Sequence, residues 1–161
     1  DLAVFIDRSL GSEVRYYERA IPYLDQAIRL NPQYDDAYFT RGYAYSQLDQ
    51  PQRAIQDFDE AIRIKPKEPR FYYHRGLSYG SLGQHEKAIQ DFDEAIRLAP
   101  QDAENYASRG SAYRSLGQQE RGNRDFAKAK ELRSDNCPPR INCHLRQGHA
   151  GWGNAHATED S

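Results

Sequence analysis

The stretch Asp93-Glu-Ala-Ile-Arg-Leu-Ala-Pro100 is preceded by two near copies of itself. These are Asp59-Glu-Ala-Ile-Arg-Ile-Lys-Pro66 and Asp25-Gln-Ala-Ile-Arg-Leu-Asn-Pro32, so a proline returns every 34 residues. A fixed period of that length marks an array of stacked units, each burying its apolar faces against its neighbours. The repeat therefore decides the fold. The working surface it leads us to expect is a groove rather than an enclosed catalytic pocket.

Alignment on the prolines divides the chain into 1–34, 35–68, 69–102 and 103–133, with 134–161 left over. The three later copies align without a gap. Each opens with Tyr38, Tyr72 or Tyr106, follows with Arg41-Gly42, Arg75-Gly76 or Arg109-Gly110, and then places Tyr45, Tyr79 or Tyr113. Spacings of three, one and three fall on one face of a helix. A break comes next, at Asp49 to Pro51, Gly83 and Gly117. A second apolar stripe then begins at Ala54, Phe58, Ala61 and at Ala88, Phe92, Ala95. Each copy thus reads as two antiparallel helices. In the first copy, residues 18–34 carry a complete second helix. Residues 1–17 are expected to be an irregular or truncated first helix, because Leu2 to Leu10 lacks the Gly and Tyr of the others. The sequence starts at Asp1 and contains no Met, so its native start is expected upstream.

These residues resemble the tetratricopeptide repeat, whose aromatic, Gly, Tyr, Ala, Phe, Ala and Pro signature is matched by Tyr38, Gly42, Tyr45, Ala54, Phe58, Ala61 and Pro66. The resemblance implies an all-α fold, a right-handed superhelical array of antiparallel helix pairs. It also implies a non-enzymatic scaffold that holds a peptide or a segment of a partner protein against the concave face lined by the first helices. The departure from the signature is Arg in place of Leu before each Gly. An Asp follows each Arg after 16 residues, at 57, 91 and 125, which points to a structural ladder of partly buried ion pairs. Gly42, Gly76 and Gly110 are read as facing Ala54, Ala88 and Gly122, so that two helices approach closely. Asp25 with Arg29, Asp59 with Arg63 and Asp93 with Arg97 are read as exposed i,i+4 pairs.

The fourth copy closes the array. Ile21, Ile55 and Ile89 share a stripe with Ile28, Ile62 and Ile96, and that stripe turns polar at Asn123 and Lys130, as a solvent-facing cap requires. Residues 134–161 have no apolar period and much Gly, Pro and Asn, and are expected to be disordered. They hold Cys137, Cys143, His144, His149 and His156. A zinc site or a Cys137–Cys143 disulfide is weighed against an unstructured tail, and the tail is preferred, because closely spaced Cys pairs are wanting.

Of the 161 residues, 38% are hydrophobic and 29% charged, and the formal charge of -2 comes from interleaved acids and bases. Nothing here has the electrostatic footprint of a nucleic-acid partner. No apolar run approaches the roughly 20 residues of a membrane-spanning helix. Neighbouring carboxylates such as Asp57 and Asp59, two apart on a helix, cannot close on one substrate atom. His85 beside Glu86 reads as a solvated surface residue. No catalytic constellation, phosphate loop or cofactor motif is present, so neither an enzyme nor a cofactor is expected.

The candidate binding residues are those of the first helices not spent on the signature. They are Phe39, Thr40, Tyr43 and Gln47, then Arg70, Tyr73, His74 and Leu77, then Glu104, Ser108, Ser111 and Arg114. Tyr and Arg suit anchors, since each desolvates a large area while keeping a hydrogen-bonding tip. For Phe39 and Tyr73 the alternative is packing against neighbouring helices. Groove exposure is preferred, because Tyr38, Gly42 and Tyr45 already serve the core. The basic clamp with which some tetratricopeptide co-chaperones hold acidic tails is absent, since those positions hold Phe39, Tyr43, His74, Glu104 and Ser108. A second function, in the structural class, is self-association of the chain through its incomplete first repeat.

Overall fold

A computed structural model describes residues 2–135, with side chains from 14 to 134. Seven helices make up the described chain: α1 (Leu2–Leu30), α2 (Asp35–Gln47), α3 (Pro51–Ile64), α4 (Pro69–Ser81), α5 (His85–Leu98), α6 (Ala103–Ser115) and α7 (Gln119–Asp135). The cysteines and the three histidines of the expected tail lie outside the described residues.

Each helix pair is closed by the same local device. The chain leaves α2, α4 and α6 through one residue with positive φ, at Asp49 (55°), Gly83 (70°) and Gly117 (76°). Glycine takes this left-handed conformation without strain, and Asp is among the few side chains that tolerate it. The next amide then reaches back to the first helix: Gln50, Gln84 and Gln118 N–H donate to the carbonyls of Tyr45, Tyr79 and Tyr113, each at 2.9 Å. Pro51 and Pro69 begin α3 and α4, where the missing N–H has no intrahelical partner to lose.

In α1 that device is absent. Arg15, Tyr16 and Tyr17 stand where the later repeats break, and with no Gly or Pro to turn the chain the helix runs unbroken from Leu2 to Leu30. It passes through Pro22, whose ring removes one intrahelical hydrogen bond. A continuous helix therefore spans residue 17, where the sequence reading divides a first helix from a second.

The helices stack in chain order. α2 packs on α3, α4 on α5 and α6 on α7 within repeats, while α1 on α2, α3 on α4 and α5 on α6 join them, and α4 touches both α2 and α6. Ala54, Phe58, Ala61, Phe71, Ala88 and Ala95 are fully buried along this line. Asn123 and Lys130 on α7 are exposed, in keeping with a polar cap. The glycines differ from the sequence reading. A Cβ at Gly42 would lie 2.9 Å from the Phe58 ring and one at Gly76 2.8 Å from the Phe92 ring, so these two make room for the phenylalanines rather than for alanines. Only Gly110 meets its expected partner, the Gly122 backbone, at 3.0 Å.

The arginines form a clamp with two jaws. Arg41 donates to both oxygens of Asp57, at 2.9 and 2.6 Å, and to Asp25 at 2.6 Å. Arg75 repeats this with Asp91 and Asp59, and Arg109 with Asp125 and Asp93. Each guanidinium therefore bridges its own second helix and that of the preceding repeat. The i,i+4 pairs expected for Asp59 and Asp93 are replaced: these carboxylates turn to Arg75 and Arg109, and Arg63 and Arg97 bond Glu60 and Glu94 instead. Burial pushes the Asp57 and Asp91 carboxyls up, against the pull of Arg41 and Arg75.

The two jaws should differ in weight. The Asp91 side chain is 7% exposed and that of Asp59 50%. Removing one partner of a buried pair strands the other charge, whereas an exposed pair is screened by water. Asp91→Ala is expected to cost about 3 kcal/mol and Asp59→Ala less than about 1 kcal/mol, both measured by urea denaturation.

Candidate functional site

Four residues expected on the first rung extend from the middle to the end of α2. Thr40 is exposed, its hydroxyl donating to the Asp36 carbonyl at 2.7 Å, and Gln47 is exposed near the helix end. Tyr43 is half-buried, edge-on to Tyr17 and to His74 with ring centroids 6.1 and 5.4 Å away. Phe39 is half-buried as well, and its ring meets Phe58 at 5.9 Å, Phe71 at 5.3 Å and His74 at 5.2 Å. It belongs to the packing between repeats 2 and 3.

On α4, Arg70 is exposed but not unpartnered. It pairs with Asp36, lies 3.6 Å from Glu68, and stacks its guanidinium over the Phe39 ring at 4.6 Å. Two carboxylates thus already balance the charge expected to anchor a ligand. Tyr73 is half-buried against Phe92 at 5.9 Å and bonds Ser108 through its hydroxyl at 3.5 Å. Packing with neighbouring helices accounts for these contacts of Phe39 and Tyr73. Leu77 is 41% exposed.

The third rung is polar. Glu104 pairs with Arg133 on α7 at 2.7 Å. Ser111 donates to the Ala107 carbonyl at 3.1 Å, and Ser108 is half-buried beside Tyr73. Arg114 leans away toward α7, its guanidinium 5.6 Å from the Phe126 ring and its Nε donating to Gln119. Leu77, Ser108 and Ser111 share the wall of one depression between α4 and α6.

Sequence reasoning missed two features of this face. One is the Asp36–Arg70 pair, whose members stand one repeat apart; the 34-residue separation was the available signal. The other is the setting of His74, enclosed by Phe39, Tyr43, Phe58 and Tyr73 at 5.2 to 6.0 Å. Burial first, and the Arg70 charge second, hold its pKa below the usual 6.5.

A second surface lies on α1. Tyr16, Tyr23 and Leu30 are 70%, 72% and 79% exposed. Tyr23 and Leu24 hold the places that Asp57 and Phe58 occupy in repeat 2, where both are buried against the first helix of their own repeat. Among the described residues no helix is long and apolar enough to cross a membrane, and no three His, Cys, Asp or Glu residues converge as metal ligands would.

Comparison with known proteins agrees with this geometry. Sequence models of the tetratricopeptide repeat match residues 14–69, 69–102 and 103–136. A solved structure described as the crystal structure of MamA is 31% identical and aligns 74% of this chain with 70% of its own, at a TM-score of 0.72. Another crystal structure of MamA is 30% identical over 78% of this chain and 68% of that one, with a TM-score of 0.71. The structure described as MamA 41-end, from Desulfovibrio magneticus RS-1, is 23% identical over 79% and 72%, with a TM-score of 0.73, a likeness of fold. No curated protein sequence matches the chain.

The lowered pKa of His74 links stability to pH. The fold favours the neutral imidazole, so the stability it gains is complete above pH about 6.5 and is lost as pH falls through the depressed folded value. Between about pH 7.5 and about pH 5.5, His74→Phe is expected to lose less of its urea midpoint than the native chain. Equal losses in the two proteins would refute the assignment.

Proposed function

The chain belongs to the tetratricopeptide repeat family, whose members bind protein partners, and on that premise we propose that it holds an extended or helical segment of another protein on the face formed by α2, α4 and α6. The single observation that carries this reading is Leu77, 41% exposed on that face one helix away from the partly open ring of Tyr43. Leu77 shares a depression with Phe92 and Ser111, and a partner side chain seated there would take this apolar surface out of water. The twelve first-helix residues divide by role in this reading. Tyr43, Leu77 and Ser111 contact the ligand, with Thr40, Gln47, Ser108 and Arg114 at the margins. Phe39, Tyr73 and His74 stiffen the floor, and Arg70 and Glu104 hold the rim through Asp36 and Arg133.

The mechanism is preorganisation. Helices locked by the arginine clamps present these groups in fixed register, so the ordering cost of binding falls on the ligand alone. The reading is non-enzymatic, and the engagement of paired carboxylates supports it. Asp57 and Asp59 are spent on different arginines, as are Asp91 and Asp93.

Affinity capture from native lysate tests the groove, comparing the native chain with a Tyr43→Ser, Gln47→Glu variant shown by circular dichroism to remain helical. These positions are chosen over Phe39, whose truncation would also open the packing against Phe58 and Phe71. Partners retained at least about tenfold less well by the variant are the expected result. An unchanged partner list would overturn the groove.

The exposed α1 face favours a second reading, self-association. Tyr16, Tyr23 and Leu30 offer an apolar strip that a second copy would bury. Light-scattering mass is expected to rise with concentration for the native chain and to stay constant for Tyr23→Glu, Leu30→Glu. A monomer at every concentration would refute it.

A further inference from the structure

His74 does not stand alone at the junction of α2 and α4. It lies against Phe39 and Phe58, whose ring centroids are 5.9 Å apart and tilted by 44°. One repeat later Tyr73 and Phe92 reproduce that pair at 5.9 Å and 53°. The residue 34 positions after His74, however, is Ser108, which carries no ring. The aromatic support recurs and the side chain that rests on it does not.

The space this leaves is open. A cavity of about 300 Å³ lies between α4, α5 and α6, with Leu77, Gly80, Phe92, Ser108, Ser111 and Ser115 in its walls. A Cβ placed on Gly80 meets nothing within 4 Å. Along the α6 side, Ser111 donates to the Ala107 carbonyl at 3.1 Å and Ser115 to the Ser111 carbonyl at 3.2 Å, while Ser108 donates across to the Tyr73 hydroxyl at 3.5 Å. No carboxylate, ammonium or guanidinium group lines the cavity, and its one imidazole is that of His85, which the sequence reading puts in solvent and which is half-buried in this wall. A cationic side chain entering it would lose water and find no counter-charge, whereas a ring would find the Phe92 face, the Leu77 side chain and the His85 imidazole.

We propose that this notch is a subsite for an uncharged aromatic side chain of a partner polypeptide, seated where His74 sits one repeat earlier. The inference rests on the groove reading for its claim that the ring belongs to a bound partner, and it gives that partner a chemical class: a segment anchored by Phe, Tyr or Trp rather than by Lys or Arg. The notch lies at the α4–α6 junction, one repeat beyond the Tyr43 end of the face, so the two ends of the groove are separately testable.

The probe is N-acetyl-phenylalaninamide, titrated into the 15N-labelled full chain and followed by amide shifts, with N-acetyl-lysinamide as the charged control. The expected result is a saturable shift clustered at Gly76, Gly80 and Ala112 with the aromatic probe alone. Gly80→Leu and Ser108→His each fill the notch, and each, with helicity retained, is expected to weaken the apparent affinity at least about tenfold. The proposal is overturned by no clustered shift, by an equal response to the lysine probe, or by a response that survives both variants. Partners lost from the Tyr43→Ser, Gln47→Glu variant would uphold the groove even then. Probe binding together with an unchanged partner list would sink the groove reading, and with it the claim of a partner's side chain, and leave the notch as a pocket for an aromatic ring alone.

Discussion

One guanidinium held between two carboxylates from the second helices that flank its own helix is the contact on which the array's geometry depends. An Arg–Asp pair taken out of water returns little net stability by itself, because desolvation offsets most of the attraction. What it does supply is direction. The planar fork of Arg41 meets both oxygens of Asp57, and its remaining nitrogen reaches Asp25 on the preceding repeat, so a first helix is set in rotation and height against both second helices flanking it. A lysine would reach one carboxylate as a point charge and leave the rotation undetermined. The glycine beside each arginine is the steric counterpart. Without a Cβ it lets the Phe58 or Phe92 ring approach to where the clamp can close.

The helix pairs, their order and the inner half of the clamp were legible in the sequence because each was written three times. The outer half was legible too, since Asp25, Asp59 and Asp93 stand 16 residues before Arg41, Arg75 and Arg109 as surely as the inner partners stand 16 after. It was passed over because those aspartates also sit four residues before an arginine on their own helix. Local spacing offered an explanation that the stacking of repeats then overrode. The unbroken α1 was legible only by what is missing, a turn residue at Arg15, Tyr16 or Tyr17. The candidate groove was less readable for a different reason. How much of Phe39 or Tyr73 remains open depends on rings outside its own helix, Phe58 and Phe71 for Phe39 and Phe92 for Tyr73. Arg70 shows the same thing in charge: its partner Asp36 is a full repeat away.

A uniform scaffold thereby acquires a non-uniform face. The clamps and the phenylalanines repeat, so the backbone offers equivalent positions at each junction, and the differences are confined to side chains that no packing rule constrains. At the α2–α4 junction those positions carry Tyr43 and His74 and the space is filled. At the α4–α6 junction they carry Leu77 and Ser108, and a hollow remains over a wall that is otherwise alike. Variation placed on a rigid frame changes what can bind at little cost to the frame.

The two ends of the array stop the pattern by different means. On α7 the outward aspartate of the earlier repeats is replaced by Ala127, and the apolar stripe by Asn123 and Lys130, so a further first helix would find neither its second carboxylate nor an apolar bed. On α1 the outward Asp25 is kept and serves Arg41, but the inward position holds Tyr23, which cannot grip an arginine. A first helix of the ordinary kind would leave its guanidinium half-paired there, at a cost that apolar contact with Leu24 would have to exceed. Head-to-tail addition that extended the solenoid is disfavoured at both faces on these grounds. In the self-association proposed above, a second copy would meet the strip of Tyr16, Tyr23 and Leu30 without presenting the arginine that the other repeats require, because its own α1 surface is the same strip.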